Sequence, residues 1–182
     1  MKNERVIDHI DVKSLAHLSG EVHGPTALAK FERLMQETQG SGSDRFMQWT
    51  ARGDVQTDES GTDQIWMYLK AEVTLPLVCQ RCLAPVGVNV AIDRSFRFVE
   101  TEAQAEKEDE ACEEDVLALG ADFSLADLLE DEVLMALPVV PRHDHCPVSV
   151  TLEVVDPGFE EALVEKVNPF AVLSTMRKGN GS

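Results

Sequence analysis

The chain has 182 residues, 43% of them hydrophobic, and carries 33 acidic against 16 basic residues for a net charge of −17. That length suits one domain with a real core, or two small ones, and the apolar content excludes wholesale disorder. The acidic balance argues against a nucleic-acid binder of the usual kind, whose affinity comes largely from neutralising phosphates.

No apolar run approaches the ~20 residues that span a bilayer, and "MKNERVIDHI" lacks the apolar core of a secretory signal. The chain therefore reads as cytoplasmic, where its four cysteines are expected as thiols or ligands rather than disulfides. The charge is uneven. Between Glu100 and Glu132, fourteen acidic residues stand against Lys107 alone, so the near-neutral remainder can still carry a local basic patch.

Residues 6–22, "VIDHIDVKSLAHLSGEV", mix apolar and polar side chains and are expected to lie across the body of the domain. In "TALAKFERLMQET", which follows Pro25, Leu28, Phe31, Leu34 and Met35 recur at helical spacing, with Thr26 as a start signal. "QGSGSD" then ends the helix as a loop. Three strands follow: "RFMQWTARGDV", "QIWMYLKAEVTLPLV" and "VGVNVAIDRSFRFVE". Val86, Val88, Val90 and Ile92 alternate in the last, and the short connections favour antiparallel neighbours. The acidic run over 100–118 has too little apolar surface to offset its ordering entropy and is expected as a flexible loop. Its Cys112 reads as an exposed thiol without a role.

The clearest helix is "FSLADLLEDEVLMALP". Ser124 and Asp127 form a capping-box-like pair, and Pro138 stops the helix. Leu125, Leu128, Leu129, Val133, Ala136 and Leu137 keep the helical period. Glu132 shares that buried stripe and needs a partner, while Asp127, Glu130 and Asp131 are expected to face water. Asn168 and Pro169 suit the start of a short C-terminal helix, and residues 178–182 should fray. The expected fold is α+β: an antiparallel β-meander packed with two to three helices, forming a single domain over 1–182.

The chemistry centres on "LPLVCQRCLAPVGV", residues 75–88. Cys79 and Cys82 can present two thiolates to one ion, and "HDHC" can complete a tetrahedral zinc set with Cys146 and His143, or His145 as the alternative. Packed, reduced thiols are the other reading, since free cysteine is commonly buried. Thiol–disulfide catalysis is disfavoured because the C-x-x-C meets a strand rather than a helix N-terminus. No nucleophile–base pair and no phosphate-binding glycine loop can be named, so no enzyme activity and no small-molecule substrate are expected. Arg81, Arg94, Arg97 and Arg142 could form a phosphate-binding cluster around the cysteine turn. Ion pairs with the chain's own carboxylates compete with that reading.

With "CQRC" at 79–82, "LLEDEVLMALPVVPRHDHC" at 128–146 and "NPFAVLSTMRK" at 168–178, the chain resembles the YceD family, the large ribosomal RNA subunit accumulation proteins of bacteria and plastids. The likeness runs from the N-terminal "ID" segment to the last helix. It implies a role in synthesis, processing or stability of 23S ribosomal RNA, and marks Cys79, Cys82, Glu130, Asp131, Glu132, Pro138, Pro141, His143 and Cys146 as important.

Two functional classes follow. In one, the acidic run and the helix face at Glu130, Asp131 and Glu132 attract a basic ribosomal protein or a pre-ribosomal particle, because complementary fields steer association. In the other, the four arginines bind 23S ribosomal RNA directly, with Trp49, Trp66, Tyr68, Phe96 and Phe98 as stacking platforms. Aromatics on alternating strands more often form the core.

Overall fold

A computed structural model describes residues 7–112, 114–120, 123–149 and 170. The chain, expected as one domain, divides into two compact units, Met1–Pro147 and Val148–Ser182. The expected helix from Asn168 and the tail at 178–182 lie outside the described residues.

The first unit is built on a five-stranded sheet in the order β1-β2-β3-β4-β5. Its strands are β1 (Glu21–Ala27), β2 (Phe46–Thr57), β3 (Asp63–Val78), β4 (Pro85–Val99) and β5 (Asp115–Ala118). The first four are antiparallel neighbours; β5 runs parallel to β4. The α+β class and the three central strands agree with the sequence reading. Period-two alternation explains why: every odd position of β3 from Ile65 to Leu77 is buried, and the even positions are half-buried or exposed.

Helices α1 (Val12–His17), α2 (Glu32–Glu37), α3 (Glu102–Asp109) and α4 (Leu125–Met135) complete the unit. On the buried face Met47, Met67, Leu69 and Leu75 join Leu34 of α2 and Leu125, Leu129 and Val133 of α4, all fully buried, in one core. Burying each such side chain contributes roughly 1.5–3 kcal/mol. Gly53 lets α1 approach β2 closely: a Cβ there would stand 2.6 Å from the Ala16 nitrogen.

Two expectations are corrected. Thr26 does not start a helix. It lies in β1, where its Oγ1 accepts from Trp49 Nε1 at 2.9 Å; a 3-10 turn at Leu28–Lys30 and the short α2 follow. The acidic run is not a bare loop either. Thr101 caps α3, Ala105 packs with Val99 and Val116, and Arg97 Nη1 donates to Glu108 Oε2 at 2.6 Å. Composition underestimates this segment because one small apolar residue, one cap and one partly buried ion pair hold it.

Candidate metal centre

The end of β3 leads into a tight turn that returns as β4. Cys79 accepts at its carbonyl from Leu83 N–H at 2.9 Å, and its own N–H donates to the Ala84 carbonyl at 3.0 Å. Leu83 takes a left-handed φ of 61° to close the loop, a conformation that disfavours side chains with a Cβ. Both cysteines then point to one side. After α4, Pro138 and Pro141 prevent helical continuation, and Gln80 N–H donates to the Pro141 carbonyl at 2.8 Å, docking the 141–146 segment on the turn.

Cys79, Cys82, His143 and Cys146 consequently present ligand atoms that all lie within 4.8 Å of one another. Cys79 Sγ is 3.9 Å from Cys146 Sγ, and Cys82 Sγ is 3.5 Å from His143 Nδ1. A disulfide would need about 2.05 Å. A tetrahedral zinc ion, ~2.3 Å from sulfur and ~2.0–2.1 Å from nitrogen, sets its ligand atoms roughly 3.4–3.8 Å apart. The set fits such an ion. His143 is the histidine in it; His145 is exposed and outside the group.

The surroundings match the same chemistry. His143 Nε2 lies 3.0 Å from the Pro85 carbonyl, which can only accept, so Nε2 carries the proton and the Nδ1 lone pair is left facing the thiols. Arg81 Nε donates to Cys146 Sγ at 3.0 Å, and its Nη2 donates to the carbonyls of His143 at 2.8 Å and Asp144 at 3.3 Å. Were a dication held there by three thiolates, this guanidinium would bring the group to neutrality. Burial opposes ionisation of Cys79, but amide donors from Cys82, His143 and Arg81, with the His143 side chain, outweigh it and hold the thiol at about 5. At Cys82 the Ala84 amide favours the thiolate, yet desolvation and the neighbouring sulfurs of Cys146 and Cys79 prevail and push its pKa up. No helix begins at this turn.

The remaining site residues are dispersed. Arg94 lies roughly 30 Å along β4 from Pro85, at ~3.3 Å per residue. It bonds Asp115 and sits 3.5 Å from Glu132. Arg97 is buried beneath α3 against Glu108. Arg81 lies within the cysteine turn and the exposed Arg142 adjoins the candidate ligand His143, but Arg94 and Arg97 lie elsewhere, so the four arginines do not converge there. Cys112 is half-buried rather than exposed: its Sγ donates to the Glu108 carbonyl at 2.9 Å, with Arg97 Nη2 at 3.5 Å.

On α4, Ser124 caps as expected, accepting from Asp127 N–H at 3.2 Å. Glu130 does not face water; like Glu132 it is only 7% exposed. Its partner is Arg33, which no pattern in the sequence ties to a carboxylate 97 positions away. Asp131 is half-exposed and bonds the same guanidinium. Trp49, Phe96 and Phe98 are core, as expected of aromatics on alternating strands.

Comparison with known proteins places these features in a family context. The family described as large ribosomal RNA subunit accumulation protein YceD matches residues 67–177. A Haemophilus influenzae protein of the same description is 32% identical over 111 residues, covering 60% of this chain and 63% of that relative. The match thus spans less than two thirds of the relative. The family match over 67–177 contains all four candidate ligands, and leaves α1, β1, α2 and β2 outside. No solved structure matches.

Proposed function

This chain belongs to the YceD family, and from that premise we propose that it is a non-enzymatic cytoplasmic factor in assembly of the large ribosomal subunit. It supports accumulation of 23S ribosomal RNA by binding a basic ribosomal protein, alone or within a pre-ribosomal particle. The observation that carries this reading is the ordered acidic ridge of α3. Glu102, Glu106, Asp109 and Glu110 are exposed there with Lys107 as the single cation among them, on a helix pinned to the sheet by Arg97 and Glu108. A preorganised anionic surface attracts a cationic partner with less ordering cost than a disordered run.

Cys79, Cys82, His143 and Cys146 hold one structural zinc ion in this reading. When bound, the ion supplies folding free energy by fastening the β3–β4 turn to the segment after α4. The alternative of direct RNA binding has weaker support, because Arg81, Arg94 and Arg97 each bond groups of their own chain. Crosslinking in cells, with parallel sequencing of attached RNA and mass spectrometry of attached proteins, tests the choice. Recovery of a basic ribosomal protein with RNA at background is the expected result. Enrichment of discrete 23S sites through the arginines would contradict it.

A further inference from the structure

Three large apolar side chains stand exposed within six residues at the end of α4, and a fourth stands exposed on the cysteine turn. Leu83 on the cysteine turn is 74% exposed, Met135 at the end of α4 is 69% exposed, and Val139 and Val140 just beyond it are 97% and 57% exposed. Of these, Val139 lines a groove of about 630 Å3, together with Leu77, Leu134 and Leu137, with Gln36 and Glu37 at the end of α2, and with Gln39 just beyond it. Clustered exposed apolar surface with a polar rim marks interaction sites, whereas single exposed apolar residues do not. The backbone there is held by Pro138, Pro141 and the Gln80–Pro141 hydrogen bond of 2.8 Å, so the groove is preformed and docking costs little ordering.

We propose that this groove seats a segment of a partner protein in which apolar side chains alternate with lysine or arginine. The charge selects that occupant. Glu37 is the one charged side chain among the groove's lining residues, which include no lysine, arginine or histidine, on a chain of net charge −17. A nucleic acid would find no cation for its phosphates. A second copy would bring the same −17 and be repelled. Apolar side chains fill the floor, Gln36 and Gln39 meet the backbone of the segment, and its cations face Glu37. The inference rests on the reading above for the partner's basic character and adds where that partner is held.

The test is display selection of a randomised peptide library on the full-length protein, followed by affinity measurement of the selected peptides. Peptides that combine apolar residues with lysine or arginine are expected. Their affinity should fall at least roughly tenfold in Val139→Ser, as for an apolar anchor of an interface, and also in Glu37→Lys, with thermal midpoints unchanged because both side chains are exposed. Selection of acidic peptides, affinity indifferent to both variants, no selection at all, or sedimentation showing the groove closed in a dimer would overturn the proposal. Groove-dependent peptide binding without ribosomal crosslinks in cells would fault the assembly reading alone. Ribosomal crosslinks with groove-indifferent peptides would fault the groove alone.

Discussion

Glu130 of α4 caps the N-terminus of α2 through space: its Oε1 accepts from the backbone N–H of Arg33 at 2.7 Å and of Leu34 at 3.0 Å. The residue that should cap this helix locally is Phe31, which offers no acceptor. The same carboxylate takes the Arg33 Nε at 3.0 Å, so one buried group ties two helices that are almost a hundred residues apart.

Removal of that group should be costly. Glu130→Ala leaves two amides without their acceptor and is expected to lower stability by about 2–3 kcal/mol, read as a shift of the denaturant midpoint. Glu130→Gln keeps one acceptor oxygen and should lose less. Equal, negligible shifts for both would mean the cap is dispensable.

Glu132 behaves in the opposite sense. Burial raises its pKa above the ordinary 4.5, against the lowering effect of Arg94, while Asp115 and Asp131 raise it further. A carboxyl that binds its proton more tightly when folded costs stability as pH rises through 4.5 towards the raised value. Glu132→Gln should therefore raise the thermal midpoint at neutral pH relative to the native chain, with the gain vanishing in acid. A variant less stable at neutral pH would show that the Arg94 pair outweighs desolvation.

Arg97 and Glu108 hold α3 to the sheet, and the guanidinium beside Glu108, with Gln104, lowers that carboxyl below its ordinary value. This contribution is present above the ordinary carboxylate range and is lost as pH falls through the lowered pKa. Arg97→Ala should release α3 locally, at about 1–3 kcal/mol. Faster amide exchange confined to 102–109 and its contacts is the expected signature; unchanged protection there would place the anchor elsewhere.

How far the sequence discloses this fold follows the strength of local periodicity. β2, β3 and β4 are 12 to 16 residues long with long stretches of alternation, and α4 carries a full apolar stripe with its own cap, so each was legible. β1, α3 and β5 were not: β1 carries Gly24 and Pro25 at a sheet edge, α3 is mostly charged, and β5 is four residues long. Tertiary pairing makes all three. At the metal centre the ligand types were legible from C-x-x-C and "HDHC", but the choice of His143 over His145 depends on the Pro85 carbonyl. The inward turn of Glu130 depends on α2 amides, which no spacing rule reveals.

Native mass spectrometry of the purified full-length protein reads out whether one metal ion fastens the cysteine turn to the segment after α4. A mass corresponding to one zinc ion per chain is expected, lost together with a large part of thermal stability in Cys82→Ser or on chelation. A metal-free native chain with freely reactive Cys79, Cys82 and Cys146, and a thermal midpoint indifferent to chelator, would contradict it.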